Sequence, residues 1–174
     1  MSNRGFIAVL AAIAFIALLA FGLIAKKGAE IAVGEPAPDA AMQRLDGSGT
    51  TSISDFEGSW VLVNFWASWC KPCEEESPAI EKFARAHRGD LVVLGINSED
   101  NSVDAGAFID EYGLTWDMVK DTGDRSDAYG VLGFPESFLV DPAGDLALIQ
   151  RGPMDERFLD ERVAPLIEGS GGSG

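Results

Sequence analysis

The only two cysteines of the chain, Cys70 and Cys73, are separated by Lys71 and Pro72. They follow the apolar run of residues 61–66 and precede a segment with helical spacing. A thiol at a helix N-terminus is favoured as a thiolate by unpaired N–H groups and by the helix dipole. The spacing therefore predicts a redox-active dithiol that closes a small disulfide. Half of a zinc site is the alternative, but zinc needs four ligands and the chain adds only His87.

The surrounding elements predict how this dithiol is positioned. Apolar runs at residues 60–66 and 91–96 predict buried central strands, and a helix is expected to begin at Cys70 or Lys71 with Pro72 in its first turn. Residues 138–140 and 146–151 predict a hairpin. The predicted closing helix, residues 155–167, has an inward face of Phe158, Leu159, Val163 and Leu166. This order predicts an α/β fold, a central mixed β-sheet flanked by helices.

The N-terminus predicts a membrane anchor. Residues 6–25 form an unbroken apolar stretch of 20 residues, which as a helix reaches roughly 30 Å and crosses a bilayer core. A cleaved signal peptide is the alternative, although its apolar region is usually about 7–15 residues long. We expect residues 1–27 to be a signal anchor and 28–168 a single domain outside the cytoplasm. Residues 169–174 are expected to be a flexible Gly/Ser tail.

The charge of the chain excludes one class of partner. Residues 1–30 hold only Glu30 of the 28 acidic side chains and three of the 13 basic ones. The rest of the chain therefore carries 27 acidic and 10 basic side chains, a net charge of −17. This balance argues against nucleic-acid binding. It fits a solvated domain.

Two sequence blocks carry a family resemblance. Residues 61–78, VLVNFWASWCKPCEEESP, resemble the active-site block of the thioredoxin superfamily, and residues 129–141, YGVLGFPESFLVD, resemble its cis-proline block. With the entry segment GEPAP at residues 34–38, they resemble the membrane-anchored TlpA/ResA/CcmG (DsbE-like) branch. The resemblance spans about residues 34–168. It implies a thioredoxin-like fold and a thiol–disulfide oxidoreductase.

The resemblance also implies roles for individual residues. Cys70 matches the exposed nucleophile, Cys73 the buried resolving thiol, and Pro135 the cis-proline beside the disulfide. Trp69 and Phe134 are expected at the substrate surface, with packing as the alternative for Trp69. Glu136 follows the proline as in the CcmG-like pattern and is also expected to contact substrate. No cofactor and no metal are expected.

An acidic residue near the thiols completes the expected site. Where thioredoxin has a buried Asp in its central strand, this chain has Asn64, which cannot take a proton. Glu76 lies three residues after Cys73, on the same helix face, and is the candidate acceptor for the proton of Cys73. In the alternative, Glu76 is one of three solvated first-turn acids. Glu74 and Glu75 are expected to be solvated.

The expected direction of the reaction is reduction, because the acidic residues after Cys73 oppose a strongly stabilised thiolate. The branch suggests reduction of the haem-attachment cysteines of apocytochrome c during cytochrome c maturation. A membrane thiol transporter of the CcdA/DsbD type is the expected electron donor. The expected location is the cell membrane, with a single span and the catalytic domain on the periplasmic side.

Three other classes fit the sequence less well. A general disulfide oxidoreductase stays open, whereas a thiol peroxidase would need Thr or Ser where Ala67 stands. A Sco-type copper protein would need a His after the second block, and none follows His87. For a non-catalytic adaptor, an intact dithiol and proline block would be superfluous.

Overall fold

The computed structural model describes residues 12–16, 18 and 31–169. The predicted N-terminal span and the tail after Gly169 lie largely outside them; residues 12–16 and 18 are helical. Within the described residues, no helix combines the length and apolar character needed to cross a bilayer. The anchor therefore stays a prediction.

The thioredoxin-like α/β fold is confirmed. Its seven-stranded mixed sheet has the order β2-β1-β5-β4-β3-β6-β7. β3 lies inside the sheet between β4, to which it is parallel, and β6, to which it is antiparallel. The strands are β1 (Met42–Arg44), β2 (Thr50–Thr51), β3 (Trp60–Trp66), β4 (Leu91–Asn97), β5 (Asp117–Lys120), β6 (Glu136–Val140) and β7 (Leu146–Arg151).

Helices pack on the sheet and set the position of the disulfide. They are α1 (Lys71–Ala86), α2 (Ser102–Tyr112), α3 (Asp124–Ala128) and α4, which joins Glu156–Phe158, a π-helical stretch Leu159–Val163 and Ala164–Gly169; a 3₁₀ turn spans Ile53–Phe56. Leu62 of β3 packs with Ile80 of α1 and Leu159 of α4. Val63 points to the opposite face, where Tyr129 follows α3. Because side chains alternate along a strand, Asn64 shares the face of Leu62 and points toward α1.

The π-helical stretch changes the predicted inner face of α4. Leu159 and Val163 are buried as predicted, but Leu166 is 36% exposed and Ile167 is buried in its place. A π-helical turn holds more residues than an α-turn, so the inward positions recur every four residues. The prediction of Leu166 as an inward residue was therefore wrong.

Candidate active site

The two cysteines form a disulfide at the start of α1. Their Sγ atoms are 2.08 Å apart. Cys70 is the N-cap residue of α1, and its Sγ accepts a hydrogen bond from the backbone N–H of Cys73 at 3.2 Å. An N–H directed at this sulfur also stabilises it as a thiolate after reduction. The predicted helix start is confirmed.

Cys70 is less accessible than the sequence suggested. Cys70 is 2% exposed and Cys73 is 1% exposed, so the expectation of an exposed Cys70 is wrong for this disulfide form. Both cysteines belong to a cluster with Ala67 and Trp66, and Phe134 packs against it. Cys70 therefore offers little surface to a substrate sulfur in this disulfide form.

The segment around the proline lies next to the disulfide cluster. The Phe134–Pro135 peptide bond is cis, and Pro135 is buried. Trp69 is 61% exposed and contacts Phe134 edge-on, with ring centroids 5.8 Å apart. The indole N–H of Trp69 donates to the carbonyl of Glu99 at 3.0 Å. The structure thus brings the exposed Trp69 and the partly buried Phe134 together as an aromatic pair beside the cysteines.

Glu136 does not share this exposed surface. It is 4% exposed, and its carboxylate accepts from the backbone N–H of Leu132 at 3.0 Å and from the Arg151 guanidinium at 2.5 Å. Arg151 lies opposite Glu136 in the β6–β7 ladder and also donates to the carbonyl of Gly130. This ion pair, in which the carboxylate is buried and the Arg151 side chain is 43% exposed, ties the proline loop to β7. A direct contact between the Glu136 side chain and a substrate is not compatible with this arrangement.

Glu76 is the buried acid of the site. It is 2% exposed, which excludes the alternative of a solvated first-turn acid. Its Oε1 accepts from Nδ2 of Asn64 at 2.8 Å, and its Oε2 accepts from the backbone N–H of Met154 at 2.9 Å. Burial raises the pKa of Glu76 to about 7, against the opposing effect of these two hydrogen bonds. A carboxyl group with this pKa exchanges its proton close to neutral pH.

The neighbouring acids behave differently from Glu76. Glu75 is exposed, as expected, whereas Glu74 is half-buried, pairs with Lys71 at 2.5 Å and accepts from the hydroxyl of Tyr112 at 3.2 Å. The expectation that Glu74 is a solvated charge was therefore wrong. The bond to Lys71 lowers the pKa of Glu74, although partial burial opposes it. The Lys71 ammonium between the two cysteines is thus already engaged by a carboxylate.

Sequence reasoning missed the partners that hold Glu76. The sequence indicates that Asn64 is unable to take a proton, but it does not indicate that Asn64, Ser137 and Met154 surround Glu76. The Ser137 side chain accepts a second hydrogen bond from Nδ2 of Asn64, at 2.9 Å. The predicted hairpin could have placed Arg151 opposite Glu136. Nothing in the sequence pattern indicates that the Met154 amide lies against α1.

A comparison with models of protein families shows the family of the chain. A model described as the AhpC/TSA family matches residues 33–149. The chain belongs to this family. Its dithiol, cis-proline and buried acid are therefore to be understood within a thioredoxin-like oxidoreductase framework.

Curated proteins similar to this chain include a thioredoxin-like protein and a thiol-disulfide oxidoreductase. The chain is 33% identical over 141 residues to the thioredoxin-like protein YneN of Bacillus subtilis, covering 79% of this chain and 82% of YneN. It is 33% identical over 135 residues to the thiol-disulfide oxidoreductase ResA of Geobacillus thermodenitrificans, covering 76% and 77%. Both matches therefore cover most of this chain and most of the relative.

Solved structures agree with these relatives. A putative thiol:disulfide interchange protein DsbE from Chlorobium tepidum matches with a TM-score of 0.71 and 28% identity, covering 81% of this chain and 98% of that one. StoA from Bacillus subtilis matches with a TM-score of 0.62 and 29% identity, covering 72% and 96%. The protein is a thiol–disulfide oxidoreductase of the ResA/DsbE type.

Proposed function

We propose that this protein reduces disulfides of other proteins outside the cytoplasm. The Cys70 thiolate attacks a substrate disulfide and forms a mixed disulfide, with one substrate sulfur leaving. Glu76 takes the proton of Cys73, whose thiolate then attacks Sγ of Cys70 and releases the second substrate thiolate. The observation that carries this proposal is the burial of Glu76 on the α1 face that it shares with Cys73, with a pKa of about 7.

The surroundings of the dithiol favour reduction over oxidation. A strong oxidant needs a strongly stabilised Cys70 thiolate. The cation nearest in sequence, Lys71, is 74% exposed and bonded to Glu74, so it offers the sulfur little net charge. The helix N-terminus and the Cys73 amide remain as support. With Lys71 neutralised and only these two groups left to stabilise the thiolate, we expect a moderately stabilised Cys70 thiolate and a Cys70–Cys73 dithiol that reduces other disulfides.

An apocytochrome c with its haem-attachment cysteines oxidised is the proposed substrate. Trp69 precedes Cys70, contacts Phe134 and is 61% exposed, and it offers an apolar surface to an unfolded polypeptide. Leu132, in the loop before Pro135, is also exposed, at 84%. A relative named thiol-disulfide oxidoreductase ResA and a structure named as a putative thiol:disulfide interchange protein DsbE support disulfide exchange; the apocytochrome c substrate follows from the family resemblance of the sequence. We place the protein in the cell membrane through its N-terminal segment, with the domain on the periplasmic side.

Each reduction leaves the protein as the disulfide, so a donor must reduce it again. The chain contains no third cysteine that could relay electrons. A membrane thiol transporter of the CcdA/DsbD type fits this requirement. The peroxidase alternative is not favoured, because Ala67 is fully buried and offers no hydroxyl where that class requires one.

The redox potential of the full chain, equilibrated with glutathione, tests the direction. A value near −270 mV, as for thioredoxin, supports a reductase, whereas one near −120 mV, as for DsbA, contradicts it. The substrate is tested with an oxidised peptide that contains the haem-attachment motif Cys-x-x-Cys-His. We expect faster reduction than for a scrambled disulfide peptide; equal rates would refute the substrate assignment.

The matched pair Glu76→Gln and Glu75→Gln tests the proton acceptor. The two residues are neighbours on α1, but only Glu76 is buried. Loss of a general base slows a reaction by about 10²–10⁴-fold. We therefore expect Glu76→Gln to reduce the peptide at least 100-fold more slowly and Glu75→Gln to match the wild type. Equal rates for the two variants would exclude Glu76 as the base.

A further inference from the structure

A buried hydrogen-bonded chain lies behind Glu76. Asn64 and Ser137 face each other across the β3–β6 ladder. Both hydrogens of the Asn64 amide are used: Nδ2 donates to Oε1 of Glu76 at 2.8 Å and to Oγ of Ser137 at 2.9 Å. Asn64, Ser137 and Glu76 are 3%, 0% and 2% exposed. Water therefore has little access to the groups that pair with the carboxylate.

This arrangement fits an ionised Glu76, because a carboxylate only accepts hydrogen bonds. A protonated Glu76 also has an O–H to donate, while both of its oxygens face N–H donors. The Met154 donor is a backbone amide within the fold and cannot exchange its N–H for an acceptor. The Asn64 side chain can, because turning its amide by 180° exchanges nitrogen and oxygen.

The turned amide would satisfy the hydrogen-bonding groups of both Glu76 and Ser137. Its Oδ1 would then lie where Nδ2 lies now, with one lone pair toward Glu76 and one toward Ser137. A protonated Glu76 can donate to the first. Ser137 can donate to the second, because a hydroxyl serves as either acceptor or donor. An aspartate at position 64 would instead place a second carboxylate beside Glu76.

We propose that Asn64 and Ser137 form a positioning pair that holds Glu76 in both protonation states by turning the Asn64 amide. This inference rests on the proposed role of Glu76 as proton acceptor. In that step the S–H bond of Cys73 breaks, an O–H bond forms on Glu76 and the negative charge moves to sulfur. No electrons are exchanged until this thiolate attacks Cys70.

Several charged side chains lie on the solvent side of Glu76. A cleft of about 490 Å³ is lined by Glu76 together with neighbouring charged residues of α1 and the α4 region: Glu75, Asp155, Arg157, Glu161 and Arg162. On the sheet side, the hydrogen bonds among the described residues join Glu76 to the uncharged Asn64, and Asn64 to the uncharged Ser137. The proton can leave through this cleft, whereas the turning amide lies on the inner side.

The first test is the side-chain amide signal of Asn64 in NMR spectra of the full-length, reduced, ¹⁵N-labelled protein. We expect its two N–H resonances to shift together with the Glu76 carboxyl carbon across the same pH midpoint. Asn97 is an internal control, since it is 1% exposed and donates to Asp100, a carboxylate whose pKa lies below its usual range. Its signal should be constant between pH 5 and pH 9.

The second test compares Ser137→Ala with the conservative Ser137→Thr, which keeps the hydroxyl. Losing one hydrogen bond corresponds to about a tenfold change. We expect Ser137→Ala to slow release of substrate from the mixed disulfide about tenfold and to shift the pH midpoint of this step. Ser137→Thr should recover both rate and midpoint.

The outcomes separate this inference from the proposed function. If Glu76→Gln reduces substrate like the wild type, the assigned role of Glu76 as proton acceptor and the inference that rests on it both fail, whereas disulfide reduction itself is tested separately by the redox potential. If Glu76→Gln is slow but the Asn64 signal is constant through the Glu76 titration, only the positioning pair is refuted. Equal pH midpoints for Ser137→Ala and the wild type would also refute it. The wild-type titration needs no variant and is decisive even if Ser137→Ala does not fold.

Discussion

Replacement of Glu76 by glutamine should change how the stability of the oxidised protein depends on pH. The folded protein raises the pKa of Glu76 from 4.5 to about 7. Between these pH values the folded state keeps the proton while the unfolded state has released it. The contribution of Glu76 to the free energy of unfolding of the wild type must therefore fall as pH rises. Glutamine carries no titrating proton and lacks this contribution.

The size of the effect follows from the two pKa values. Each pH unit between them corresponds to about 1.4 kcal/mol. Integrated from pH 4 to pH 8, Glu76 costs the wild type about 3 kcal/mol, of which about 2 kcal/mol has developed by pH 6. Because Glu76 is 2% exposed, solvent screening reduces this figure little.

Urea unfolding of both proteins at pH 4, 6 and 8, with the disulfide intact, measures this difference. We expect Glu76→Gln to gain about 3 kcal/mol relative to the wild type across this range. Other carboxylates titrate in both proteins and cancel in the comparison, and Glu75→Gln is the matched control. Unfolding free energies that run parallel from pH 4 to pH 8 would refute the raised pKa of Glu76.

Three further predictions concern the disulfide, the proline loop and the sheet. Cys73→Ser should accumulate a mixed disulfide between Cys70 and a substrate peptide, detectable by mass spectrometry; free peptide alone would contradict the assigned order of attack. Arg151→Ala should destabilise the protein by about 2 kcal/mol in urea unfolding because the buried Glu136 loses its cation, whereas no change would show that the pair is dispensable. Gly95→Ala should destabilise by about 1–3 kcal/mol, since a Cβ at this position lies 2.4 Å from Sδ of Met118. Gly106→Ala, with open space around its Cβ, is the control and should be neutral or stabilising.

Local sequence patterns were sufficient to predict most of the fold. The apolar run of β3 and the dithiol at the start of α1 depend on side-chain period and on helix-terminus chemistry, which act between near neighbours. The predicted closing helix was also present, but its inner face was partly wrong. A π-helical stretch changes the period, and the prediction assumed regular α-helical spacing.

In the candidate site, too, local sequence patterns predicted some features and missed others. The spacing of Cys70 and Cys73 predicted a dithiol because two residues within one turn suffice to close it. The sequence named Glu76 but allowed a solvated acid, because position in a first turn does not decide burial. Packing of α4 against α1 decided it by enclosing the carboxylate.

The sequence by itself determined the redox chemistry and the class of fold, since both are encoded in residues close together along the chain. Only the tertiary structure decided the environment of that chemistry. It placed the Met154 amide on Glu76 from 78 residues away and Ser137 on Asn64 from 73 residues away. A pKa near 7 arises from this burial and these distant donors, and contacts of such long range leave no local pattern.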